Sequence, residues 1–247
     1  MKTYSVTQSK SSFWAMTRLA VPALAEESLV LMVTYTDWLL ASWCFSADGD
    51  ATKAAMGLMA YVMWLLPSFF AVMAIGATAL IARWVGANDL VAANRALHQA
   101  YLVGGLIAFV MTIIVWMFGD QFIAVMQLKG DAADFAYQYL QVVTLVIPLM
   151  MCSQIGAACL RGAGDTFTGF RVKLIVVGVN ILVSTLLVTG WLGVPVVGWQ
   201  GIAIGTAAGY TVGGIVLTGV LVRGRAGLQP RVRSGRDRCC ALALTVQ

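Results

Sequence analysis

Three carboxylates interrupt an otherwise apolar stretch near the start of the chain, and they are the residues best placed to do chemistry. Glu26, Glu27 and Asp37 lie between Leu19 and Trp43, a segment bracketed by Arg18 and Asp48. If that segment is one helix starting near Leu19, Asp37 sits about 27 Å along it, at membrane depth on the outer half. An acid there can exchange a proton or hold a cation; the plainer alternative is that it reaches the outer interface. Glu26 and Glu27 are about two turns in from Arg18, where a carboxylate faces an aqueous cavity or snorkels to the surface. The tetrad Gly162-Ala163-Gly164-Asp165 suggests an intramembrane aspartyl protease or a sugar kinase, and its setting excludes both. A protease needs its Asp inside a span facing a second Asp, whereas Asp165 follows Arg161 in a loop; a kinase needs a soluble nucleotide fold. The tetrad reads as a tight turn, with Gly supplying positive φ and Asp165 capping the helix that follows. His98 stands alone, and the cysteines Cys44, Cys152, Cys159, Cys239 and Cys240 lack the spacing of a metal, haem or redox motif. No metal site and no cofactor are expected, and nothing marks an enzyme.

The elements that position these residues follow from composition and from where charge is missing. The chain has 247 residues, of which 60% are hydrophobic and only 11% charged, against about 25% charged in a soluble domain. With a mean hydropathy of +0.84, too little polar material remains to cover a water-facing surface. Soluble, disordered and disulfide-scaffold classes are excluded, and the lipid bilayer is the expected surrounding. Ionised groups are confined to the ends of membrane spans, so the charge-free runs Lys53 to Arg83, Arg95 to Asp120 and Asp134 to Arg161 each predict one helix of about 20 residues. The run from Lys173 to Arg223 is twice as long and must turn back, and Gly190, Gly193, Pro195 and Gly198 supply the breakers near its middle. Spans are predicted over 57–82, 97–118, 136–158, 170–190 and 199–222. The acid-bearing segment 19–43 makes a sixth, since acids interrupt any signal-peptide core. The fold class is therefore all-α, a polytopic bundle of six transmembrane helices over 19–222, with 1–18 as an N-terminal segment and 223–247 as a basic tail.

Six spans put both termini on one side. Lys and Arg crowd that side and leave only Lys53 and Lys129 opposite, which makes the termini cytoplasmic and the location the inner (plasma) membrane. Topology thus accounts for the net charge of +5 without a nucleic-acid partner. Gly201, Gly205, Gly209 and Gly213 recur every four residues in the last span and form a groove for close helix approach.

Four stretches, in order and on the appropriate spans, resemble the multidrug and toxic compound extrusion (MATE) transporters. They are Leu19-Ala20-Val21-Pro22-Ala23 leading to Glu26 and Asp37; Gly76 to Arg83 with Gly86-Ala87-Asn88-Asp89; Leu160-Arg161-Gly162-Ala163-Gly164-Asp165-Thr166; and Gly198-Trp199-Gln200-Gly201 running into Thr206. The resemblance covers about residues 15–222 and corresponds to one lobe. It implies a secondary active exporter that exchanges organic cations or drugs for protons or sodium ions. It also implies an ion-coupling cluster of Asp37, Asn180, Ser184 and Thr206, with Asn180 and Ser184 on one helix face. Ser184 departs from the Asp of the family pattern, and with one carboxylate left a proton on Asp37 is favoured over sodium. Protonation would remove a buried charge, shift the first helix near Pro22 and release substrate outward. Glu26, Tyr35, Trp38, Met63 and Trp64 are candidates for the substrate pathway, the aromatic and Met side chains as a surface for flat cations; at helical spacing such residues also serve as plain packing.

Two other readings accompany this one: a lipid-linked oligosaccharide flippase of the same superfamily, expected to show more intramembrane Arg and Lys, and an inactive half-transporter or membrane scaffold. The family carries about twelve helices in two similar lobes, and no second copy of the motifs follows here. The Arg-rich run 223–238 is read either as a lipid-binding tail or as residues that replace a second lobe through truncation or a frame change, the latter being favoured. A dimer of lobes, or a missing second lobe, would complete the transporter.

Overall fold

The computed structural model describes residues 9–44, 49–193 and 196–224. They form six helices: α1 (Ser9–Cys44), α2 (Gly49–Gly86), α3 (Leu90–Val125), α4 (Asp131–Gly162), α5 (Thr166–Thr189) and α6 (Gln200–Val222), with a single 3-10 turn at Trp191–Gly193. There is no strand among the described residues. Five of the six, α2 to α6, are long and apolar enough to cross a membrane. α1 falls outside that set because it carries Glu26, Glu27 and Asp37, yet it is as long as its neighbours and packs along α5.

The helices overrun the predicted spans at most ends. α1 begins at Ser9 where the charge pattern marked 19, and α2 reaches from Gly49 to Gly86 where it marked 57–82. Charge limits how much of a helix can lie in hydrocarbon; it does not stop the backbone from continuing into the polar interface. Most of the predicted tail, 225–247, lies outside the described residues, as does the beginning of the N-terminal segment, 1–8.

Aspartate side chains open two of the helices, at Asp165 as the sequence suggested and at Asp89, which it did not single out as a cap. Asp89 accepts the Ala92 amide at 3.0 Å to open α3. Asp165 accepts both the Thr168 amide (3.0 Å) and the Thr168 hydroxyl (2.7 Å) to open α5, and Gly164 before it has φ +87°. This removes any need for a catalytic role for Asp165, since its carboxylate is spent on orphan helix N-terminal groups.

α4 is the centre of the bundle, touching α2, α3, α5 and α6, and it is the most buried of the five apolar helices. α3 is peripheral. The glycine stripe of α6 is filled by α5: a β-carbon on Gly201 would lie 2.9 Å from Leu187 Cβ, one on Gly209 3.0 Å from the Val176 carbonyl oxygen and one on Gly213 2.7 Å from Val176 Cγ2. On another face of α6, Gly214 abuts the α4 backbone, where a β-carbon would come 2.7 Å from the Leu149 carbonyl oxygen. Small residues thus let α6 press its backbone against two helices at once, which is how apolar helices associate without a hydrophobic drive between them. Trp199 closes the base of α6, its indole donating to the Phe135 carbonyl at 3.0 Å with the two rings 5.2 Å apart.

Candidate functional site

The packing of α1, α4, α5 and α6 brings four polar side chains together in the apolar interior. Thr206 of α6 is their hub. Its hydroxyl donates to Asp37 Oδ2 of α1 at 3.3 Å and accepts from Asn180 Nδ2 of α5 at 3.1 Å and from the Tyr139 hydroxyl of α4 at 3.4 Å. One donor and two acceptor positions are all that a threonine hydroxyl has, so Thr206 is saturated. Asp37 and Asn180 are not: Asp37 Oδ1 and Asn180 Oδ1 are buried with no hydrogen-bond partner. Asp37 is 6% exposed and Asn180 2%.

These residues border a cavity of about 70 Å³, further lined by Met63, Lys173, Val176, Gly209 and Tyr210 among others. A buried water occupies about 30 Å³ of liquid volume, so the cavity has room for small ions and waters. Three of the four residues of the predicted cluster, Asp37, Asn180 and Thr206, are joined by hydrogen bonds. Ser184 is not among the cavity-lining residues. It lies one turn beyond Asn180, fully buried against Gly205, its hydroxyl without a partner. Its contact with the Gly205 backbone leaves little space for a larger side chain, which is a packing reason for serine at this place.

The pathway candidates are dispersed. Met63 borders the cavity. Tyr35, Trp38 and Trp64 lie on exposed faces of α1 and α2. Glu26 is buried near the start of α5 and pairs with Arg161 at the end of α4, Oε2 to Nη2 at 3.3 Å, close to Gly169. α1 is therefore held to the bundle by two polar links, Glu26–Arg161 and Asp37–Thr206, roughly 16 Å apart along its axis.

Sequence reasoning missed Tyr139, Lys173 and Tyr210. Tyr139 stood in a charge-free run with nothing to distinguish it. Lys173 counted as one more basic residue at the inner end of a span, although its seven-residue offset from Asn180 places both on one face of a helix and marked it for attention. Its ammonium stands 5.8 Å from the centre of the Tyr210 ring. Among the described residues no cluster of His, Cys, Asp and Glu suits a metal ion.

The MatE family model matches residues 22–186, which span α2, α3 and α4 whole, α1 from Pro22 and most of α5. The chain belongs to the MatE family. Among its relatives are two proteins described as probable multidrug resistance protein NorM. The one from Thermotoga maritima is 26% identical over 208 residues, covering 83% of this chain and 44% of the relative. The one from Oceanobacillus iheyensis is 26% identical over 212 residues, covering 84% and 45%. The fold is that of a crystal structure of MATE in a bent conformation (TM-score 0.79, 22% identity, 89% of this chain and 48% of that one). It is equally that of a MOP superfamily transporter from Pyrococcus furiosus (TM-score 0.78, 22% identity, 90% and 47%). This MatE chain is thus a multi-pass membrane protein with the architecture of one MATE lobe, and it spans about half the length of the curated relatives it matches.

Proposed function

We propose that this chain acts as one lobe of a secondary active multidrug exporter, in which organic cations or drugs leave the cell in exchange for protons or sodium ions. In this reading it lies in the inner membrane with both termini cytoplasmic, and a second lobe or a second copy completes the path. The observation that carries the proposal is the buried Asp37 carboxyl beside a small cavity, joined to α6 by a hydrogen bond from Thr206 and with its other oxygen unpartnered. A carboxyl so placed has two stable occupancies, with or without a cation or proton.

Occupancy changes what Asp37 offers to Thr206 and hence how firmly α1 is drawn to α6. Because the other polar link of α1, Glu26–Arg161, lies one turn from Pro22, loosening at Asp37 lets the helix swing about that end, where proline has already removed a backbone hydrogen bond. Alternating access then follows from a two-state α1 whose equilibrium the cation biases. Asp37→Asn keeps the shape and the Thr206 contact but cannot be charged. It is expected to abolish export and drug resistance in cells while the protein still inserts and purifies as wild type; undiminished export by this variant would overturn the reading.

A further inference from the structure

The cavity at Asp37 contains a cation of its own. Lys173, two turns before Asn180 on α5, lines the same space as Asp37, Asn180 and Thr206, and among the described residues no carboxylate lies within 4.0 Å of it. The ring of Tyr210, from α6, faces its ammonium at 5.8 Å, and an aromatic face holds a cation without neutralising it. Two of the residues that border the cavity carry a buried, unpartnered oxygen, Asp37 Oδ1 and Asn180 Oδ1. Unpartnered oxygens and a lysine that makes no direct ion pair among the described residues therefore border the same space.

We propose that Lys173 is a specificity-determining residue, a tethered cation that keeps inorganic cations out of the Asp37 cavity. The inference rests on Asp37 being the cation-responsive group of the proposed exporter. With one carboxylate and one ammonium the cavity is electrically balanced. A sodium ion would add a second full positive charge to a small, low-dielectric space, and would do so close to the first. Two unit charges on the order of 10 Å apart at an effective dielectric of about 20 repel by enough to lower affinity by about tenfold. Lys173 cannot dissociate, because it is covalently part of α5.

The test is sodium binding to the purified full chain in detergent, measured by isothermal titration calorimetry. Lys173→Met, which keeps length and loses charge, is expected to bind sodium about tenfold more tightly than wild type, and Lys173→Gln to do the same should the Met variant not purify as a single species. Lys173→Arg, which keeps the charge, is expected to bind as wild type does. The proposal is overturned if the neutral variants bind sodium no better than wild type, or if Lys173→Arg gains as much as they do. Adding Asp37→Asn to Lys173→Met separates this from the reading beneath it: loss of the gained affinity leaves Asp37 as the ligand, whereas its persistence shows that the sodium sits elsewhere and that the Asp37 reading itself fails.

Discussion

Replacing Thr206 by Val removes one oxygen and almost no volume, so its effect isolates the hydrogen-bonded hub from the packing around it. In the native protein that oxygen serves three partners at 3.1, 3.3 and 3.4 Å. Each bond contributes about 0.5–1.5 kcal/mol net, and the two hydroxyl bonds are longer than the usual O–H···O distance of about 2.8 Å, so they belong at the low end. To this is added the cost of leaving the Asn180 amide, the Tyr139 hydroxyl and the second Asp37 oxygen buried and unpaired, about 1–3 kcal/mol per group when nothing relaxes. The existing cavity admits water to part of the cluster, which holds the total to about 2–4 kcal/mol. Thr206→Ser keeps the hydroxyl and loses one methyl, a cost of about 1 kcal/mol. Unfolding by added dodecyl sulfate in mixed micelles, followed through helical circular dichroism, ranks the three proteins. The expected order is wild type, then Ser, then Val, with Val well separated. A Val variant as stable as wild type, or a Ser variant as damaged as Val, would refute the claim that the hydroxyl joins α1, α5 and α6.

The Glu26–Arg161 link predicts an asymmetry. Glu26 is buried whereas the Arg161 side chain is 39% exposed, so Arg161→Ala strands a carboxylate inside the bundle, while Glu26→Gln leaves a guanidinium that can turn to water; the first is expected to lower the unfolding midpoint clearly more than the second. Gly214→Ala forces a methyl against the Leu149 carbonyl and is expected to cost about 1–3 kcal/mol in the same assay. Gly219→Ala, with nothing within 4 Å of the added carbon, is expected to be neutral or stabilising by up to about 1 kcal/mol; equal effects at the two positions would contradict the close approach of α6 to α4.

Much of the architecture was legible because a charge in hydrocarbon is costly enough to write itself into the spacing of Lys53, Arg83, Arg95 and Asp120. The same logic placed a span at 19–43, within α1, but left the helix ends open because backbone hydrogen bonding continues past the apolar stretch, and it gave no sign that Lys173 would border the same cavity as Asp37. Asp37 was visible as an acid out of place. Asn180 and Thr206 came from resemblance, since a lone amide or hydroxyl in an apolar run has no periodic signature. Tyr139 had no signal at all, because its role arises from a contact 67 residues away in the chain.

What the sequence by itself determined is the medium, the number of long helices, the turn at Asp165, and the family, all of which depend on local composition or on short contiguous motifs. Only the tertiary structure decided which polar groups meet. A span leaves open which way each of its faces turns, and that rotation is set by packing: the glycines of α6 let α5 and α4 close in, and this brings Thr206 to Asn180, Tyr139 and Asp37 while Ser184 is pressed against Gly205. The same packing puts Lys173 and Asp37 on one cavity, an arrangement of charge that depends on how five helices pack and that no one of them specifies alone.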